Sequence, residues 1–198
     1  VKTGSKGISS QRLARIGEFL VFGKNDPQVG KDANLIGKGH CPLCHQLLPK
    51  QEADRAPILL GMEGRAHERV KEDRYQMFVS KYSADGEPQT GMNPHAKTGG
   101  EYLIESLYCP NCYVVKDHGI KGTDDFETGM PIVNRRPIEL TDFEIVAVVA
   151  YLQAKDTSGD YTKVTAIEDW ERYFGKKFTF TPEEVNLYER QLTPPAPQ

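Results

Sequence analysis

Long apolar runs are missing from this sequence. No stretch approaches the roughly 18–20 consecutive apolar residues that a helix needs to cross a bilayer. An excess of one charge is missing too: 25 Lys and Arg stand against 28 Asp and Glu, a formal net charge of −3, with both signs interspersed. That excludes the basic stripe of a nucleic-acid binder. There is no serine nucleophile elbow with its His and Asp, no H-E-x-x-H and no phosphate-binding loop, so the familiar hydrolase and nucleotide sites are not expected. Internal repeats are absent. The chain starts Val1-Lys2-Thr3 without a methionine or an apolar signal region, and the expectation is that a targeting segment or anchor lies outside it. Hydrophobic residues make up 38% and charged residues 27% of the 198, ordinary values that predict a packed core.

What is present centres on one pentapeptide. Cys41-Pro42-Leu43-Cys44-His45 is a C-x-x-C-H run, the pattern in which two thiols add to the vinyl groups of one porphyrin and the next histidine is held under the iron. A redox dithiol needs no histidine there, and a zinc site needs a second ligand pair at suitable spacing. At 4 Cys and 5 His per chain, chance would produce the run roughly 0.002 times. It is read as covalent attachment of one haem c through Cys41 and Cys44, with His45 as the proximal iron ligand. His40 is read as incidental. The carbonyl of Pro57 is a candidate acceptor for the His45 Nδ1–H, which would set the tautomer; rigidifying its loop is the other reading.

Around the motif the pattern is helical. Residues 1–10 read as a flexible lead. Ser9 or Ser10 caps a helix over 11–22, with Leu13, Ile16, Leu20 and Val21 on its apolar face and Gly17 open to close approach by another helix. Asn25-Asp26-Pro27 is expected to end it, and a second helical piece is expected over 33–39. Residues 61–97 are polar, with a helix near 65–71 and then a Gly- and Pro-containing loop, an insertion at the haem edge or a partner surface. Thr98–Glu101 and Thr141–Glu144 have capping-box spacing and open helices over 101–108 and about 140–152. Tyr113-Val114-Val115 reads as extended. In the tail, short helices are expected over 166–174 and from Pro182 to about 191, before an extended or disordered Pro-rich end at 194–197.

Taken in order, the Gly-containing N-terminal helix, the C-x-x-C-H run, Arg55-Ala56-Pro57-Ile58-Leu59-Leu60-Gly61, Gly129-Met130-Pro131 and the apolar helix of 140–152 resemble a class I (mitochondrial-type) cytochrome c. The stretch Glu101-Tyr102-Leu103-Ile104-Glu105-Ser106-Leu107 with Tyr113-Val114-Val115 is similar to bacterial mono-haem members that serve as subunits of respiratory membrane complexes. The likeness covers 11–22, 33–61 and 98–155. It implies an all-α cytochrome c fold, its N- and C-terminal helices packed around one covalently bound haem. The haem domain would span 11–155, with 62–97 as a long polar insertion and 156–198 as a C-terminal extension serving as a docking arm. It implies Met130 as the distal ligand to the haem iron, a thioether that stabilises the ferrous state and raises the potential. Met62, Met77 and Met92 lack the Met-Pro context and the following helix. Tyr113 would pack on the haem, bond near the distal ligand, or be a core tyrosine.

The implied function is one-electron transfer rather than enzyme catalysis. The implied partners are redox proteins, in particular a membrane-bound electron-transfer complex, on the periplasmic or lumenal side where thioether attachment takes place. The alternative is a haem enzyme or gas-binding sensor with a weak or cysteine distal ligand. His67, His95, Asp117 and His118 are expected to be solvated. Cys109 and Cys112 depart from the family pattern. With Tyr113 where a histidine would follow, a second haem would lack its adjacent ligand, and two thiolates are too few for zinc or an iron–sulfur cluster. One thiolate competing with Met130, a local disulfide bracing the turn at Pro110, and two buried free thiols remain open.

Overall fold

Among the residues that the computed structural model describes, 7–23, 36–49 and 55–192, seven α-helices follow one another: α1 Ser10–Phe22, α2 Met62–Arg69, α3 Asp73–Lys81, α4 Gly99–Tyr108, α5 Asp142–Asp156, α6 Ala166–Phe174 and α7 Pro182–Leu192. No strand occurs among them, and the chain is all-α as expected. The expected Asn25-Asp26-Pro27 stop and the Pro-rich end at 194–197 lie outside the described residues, as do 33–35 of the helical piece expected over 33–39. The described part of that piece, 36–39, is not helical and ends in a turn at 38–39.

Every residue of α5 from Phe143 to Ala154 is buried, so this helix needs cover on all sides. α1, α2, α4 and α6 supply it. Its start is a complete capping box: Thr141 Oγ1 accepts from Glu144 N at 3.2 Å, and Glu144 Oε2 accepts from Thr141 N at 2.8 Å. α1 is capped by Ser9 and ends at Gly23, which takes the left-handed conformation at φ 73°, so the stop comes before Asn25. Ile8, expected in a flexible lead, is 1% exposed and belongs to the core. α1 crosses α5 at Gly17, where a Cβ would stand 1.9 Å from the Ala147 carbonyl oxygen. Only glycine fits there.

The polar segment expected as an insertion contributes to the core. Its helices α2 and α3 bury Met62, Ala66, Tyr75 and Phe78, and Tyr82 and Ala96 follow them into the core. α2 ends at Arg69 rather than near 71, and α3 has no counterpart among the expected helices. The Asp156 carboxylate, at the end of α5, accepts from Gly61 N at 2.9 Å and Glu63 N at 2.6 Å and so caps α2 across the fold. At α4 only half the expected box forms: Thr98 Oγ1 accepts from Glu101 N, while Glu101 Oε2 accepts from Lys97 N.

The tail turns back onto the same core. α6 lies on α4 and α5, with Trp170 3% exposed and its Nε1–H donating to Tyr108 OH at 3.0 Å. Phe178 is fully buried, and Tyr188 of α7 packs edge-on against Phe19 of α1 at 6.1 Å. The Tyr188 hydroxyl also donates to Glu144, which receives Lys38 Nζ as well. The extension expected as a separate docking arm therefore spends most of its large apolar side chains on its own chain, Leu187 being the exposed one.

Glu63, at the start of α2, makes stability depend on pH. Burial, and then the nearby Asp169 and Asp156 carboxylates, raise it from 4.5 to about 7 against a smaller opposing effect of Gln153. One of its oxygens is buried without a hydrogen-bond partner among the described residues. The folded protein therefore holds a proton there that the unfolded chain has released, and stability falls as pH rises from about 4.5 to about 7. Glu63→Gln is expected to flatten this fall, as read by melting temperature between pH 5 and 8.

Candidate functional site

The loop before α2 lies on the C-terminal end of α1. Gly37 N donates to Val21 O and Gly39 N to Leu20 O, both at 2.8 Å. At Gly37 a Cβ would meet Leu20 O at 2.2 Å, so the loop runs too close to α1 for any side chain. His40, at φ 57°, then turns the chain into a 3₁₀ turn over Cys41–Leu43. Cys44 N and His45 N both donate to Cys41 O, at 3.2 and 3.0 Å, which holds the two thiols and the imidazole in one tight turn.

His45 Nδ1 lies 2.7 Å from the Pro57 carbonyl oxygen. A carbonyl only accepts, so Nδ1 carries the proton and, in the neutral ring, the lone pair resides on Nε2. Leu59 N donates to Gln46 O at 2.9 Å and keeps the Pro57 segment beside the turn. Burial holds His45 below the ordinary histidine range; the Pro57 bond opposes this, and the His118 and Arg69 charges act with it. Burial also pushes the Cys41 thiol up to about 11, so it is a neutral thiol at physiological pH.

Cys41, Cys44, His45 and Pro57 wall a cavity of about 480 Å³ together with Met130 and Tyr113. The size falls within the roughly 300–1,000 Å³ typical of cofactor pockets. Leu103 and Leu107 of α4, Val148 and Leu152 of α5 and Val21 of α1 make its walls apolar. All six residues singled out from the sequence for this site thus meet at one cavity. Cys109 and Cys112 do not line it. They form a disulfide with an S–S distance of 2.07 Å, and both are buried. Tyr113 lines the cavity, and its hydroxyl donates to Glu72.

Among the other methionines, Met77 is exposed, Met92 lies off the cavity and Met62 lines it. The Met62 sulfur already faces two guanidiniums, Arg69 Nη1 at 3.7 Å and Arg65 Nη2 at 3.9 Å. His67 is exposed. His95, expected to be solvated, is exposed but tied: it stacks on Tyr173 at 4.2 Å, with its ring nitrogens facing the Asn93 and Tyr173 carbonyls. His40, which is exposed, and the half-buried His118 also border the cavity.

Sequence reasoning missed Arg69. It is 9% exposed, lines the cavity and donates to the Tyr102 hydroxyl at 3.2 Å. No described carboxylate forms an ion pair with it. A buried guanidinium whose protein partners are a phenol and a thioether is suited to an anionic ligand, because an isolated charge is costly to desolvate. The residues present therefore fit a haem on three separate counts: a thiol pair on a tight turn, an imidazole with its tautomer set, and an apolar chamber with one buried cation for the porphyrin carboxylates.

Compared with known proteins, the chain matches no family model and no curated protein.

Proposed function

We propose that the chain adopts a cytochrome c fold, binds one haem c covalently through Cys41 and Cys44 with His45 and Met130 as axial ligands, and passes single electrons through it. When bound, the haem supplies a reversible one-electron couple at its iron. The observation that carries this reading is the convergence of Cys41, Cys44, His45 and Met130, from distant parts of the chain, on one apolar cavity. The Pro57 carbonyl fixes the His45 tautomer and raises its basicity toward a metal. The aliphatic walls exclude water, which strengthens the electrostatic effect of each polar group inside. Arg69 offers the positive charge that buried porphyrin carboxylates need. Such a protein would work on the periplasmic or lumenal side, with redox proteins, in particular a membrane-bound complex, as donor or acceptor. Among the described residues no helix is long and apolar enough to cross a membrane.

The test is a haem count. A pyridine haemochrome assay with intact mass is expected to show one haem per chain that survives denaturation, and its covalent retention is expected to be lost in the Cys41→Ala/Cys44→Ala double variant. No haem, or two haems per chain, would refute the reading.

A further inference from the structure

The Met130 backbone stands at the end of a hydrogen-bonded relay that begins in the polar segment before α4. Glu87 is 2% exposed, and its Oε2 accepts from Gln89 N at 3.1 Å, Thr90 N at 2.9 Å and Thr90 Oγ1 at 2.8 Å, which closes a tight turn around the carboxylate. Its Oε1 accepts from Asn111 Nδ2 at 3.2 Å. Asn111 is 6% exposed and sits inside the turn closed by the Cys109–Cys112 disulfide. Its Oδ1 accepts from Thr128 N at 2.9 Å, and Thr128 Oγ1 accepts from Met130 N at 3.2 Å.

We propose that Asn111 is a positioning residue for Met130, coupling the loop that carries it to the Glu87 turn and to the disulfide turn. The proposal rests on the reading of Met130 as the distal ligand and adds what holds that ligand in place. Residues 116–131 contain no helix or strand, so their backbone lacks the repeating bonds that would stiffen it. A thioether carried on such a loop ligates well only if the loop is held before it binds. Asn111 suits this place because one amide donates to a carboxylate and accepts from an N–H at once. Neither an aspartate nor an apolar residue does both. The polar segment thereby acquires a role away from any partner surface: it supplies the carboxylate against which the relay is braced.

Asn111→Ala, Thr128→Val and Thr128→Ser distinguish positioning from general stability. Amide exchange at Met130, taken relative to α5 amides in the same sample, is expected to speed up about tenfold in Asn111→Ala and Thr128→Val, because each removes a hydrogen-bonding side chain from the relay. Thr128→Ser keeps the hydroxyl and is expected to match the wild type. In the haem-loaded proteins the first two variants are expected to weaken the thioether-to-iron charge-transfer band of the oxidised form and lower the midpoint potential. Unchanged exchange, band and potential in both would overturn the relay; should Asn111→Ala fail to fold, Thr128→Val decides alone. If the wild type shows no such band, the ligand reading falls, and Met130 exchange still decides the relay: equal rates in all four proteins overturn it.

Discussion

Met130→Ala is expected to leave the haem attached, lower its midpoint potential and open the iron to carbon monoxide. On the proposed reading, attachment would depend on Cys41 and Cys44 in the turn at 41–45, which the substitution does not touch. The potential falls because a soft thioether favours ferrous iron more than water or a vacant position does. The drop should be on the order of 0.1 V, a modest share of the roughly 0.8 V range that axial ligands set across haem proteins. A reductive titration followed by carbon monoxide addition reads both effects. Carbon monoxide binding to the unmodified reduced protein as readily as to the variant would instead favour a gas-binding site with an open distal position. An unchanged potential and spectrum would turn attention to His118 or Met62, which line the same cavity.

Ending the chain after Asp156 is expected to abolish cooperative folding rather than release an intact haem domain from a docking arm. The truncation removes Ile167, Trp170, Tyr173, Phe178, Val185 and Tyr188, all buried against the rest of the protein. It also strips Gln153 of Asp169, to which its amide donates at 2.8 Å. A milder variant, Trp170→Ala, isolates one contact. Trp170 packs on Phe174 at 4.8 Å and Phe178 at 5.0 Å, and removing a large buried aromatic costs about 3–5 kcal/mol. Set against the roughly 5–15 kcal/mol of a whole domain, one such loss takes a large share of the stability. Denaturant titration of both proteins decides the matter. A truncated chain that melts cooperatively near the full-length midpoint would restore the extension to the status of an independent arm.

The chain encodes in its order those features whose partners lie within a few residues. Ser9, Thr98 and Thr141 cap the helices their positions predict, since each side chain reaches an amide three residues on. The turn of Cys41 to His45 is equally local, as its bonds run between residues three and four apart. The apolar run of α5 marks a helix that needs cover on more than one face, and the structure buries it from Phe143 to Ala154. α3 has a sequence signal, Tyr75, Phe78 and Tyr82 at i, i+3 and i+7 on one helix face, but it is a narrow one set among charged residues, and only packing shows that it is buried. Arg69 carries no sequence signal at all, since a guanidinium becomes a buried cavity wall only when α2 is laid on α4. Asn111 with Thr128, and Trp170 with Tyr108, likewise meet only after the helices have packed. Backbone bonding and capping act over three or four residues, so order along the chain decides them. Burial belongs to pairs of segments distant in sequence, and only the tertiary structure chooses those pairs.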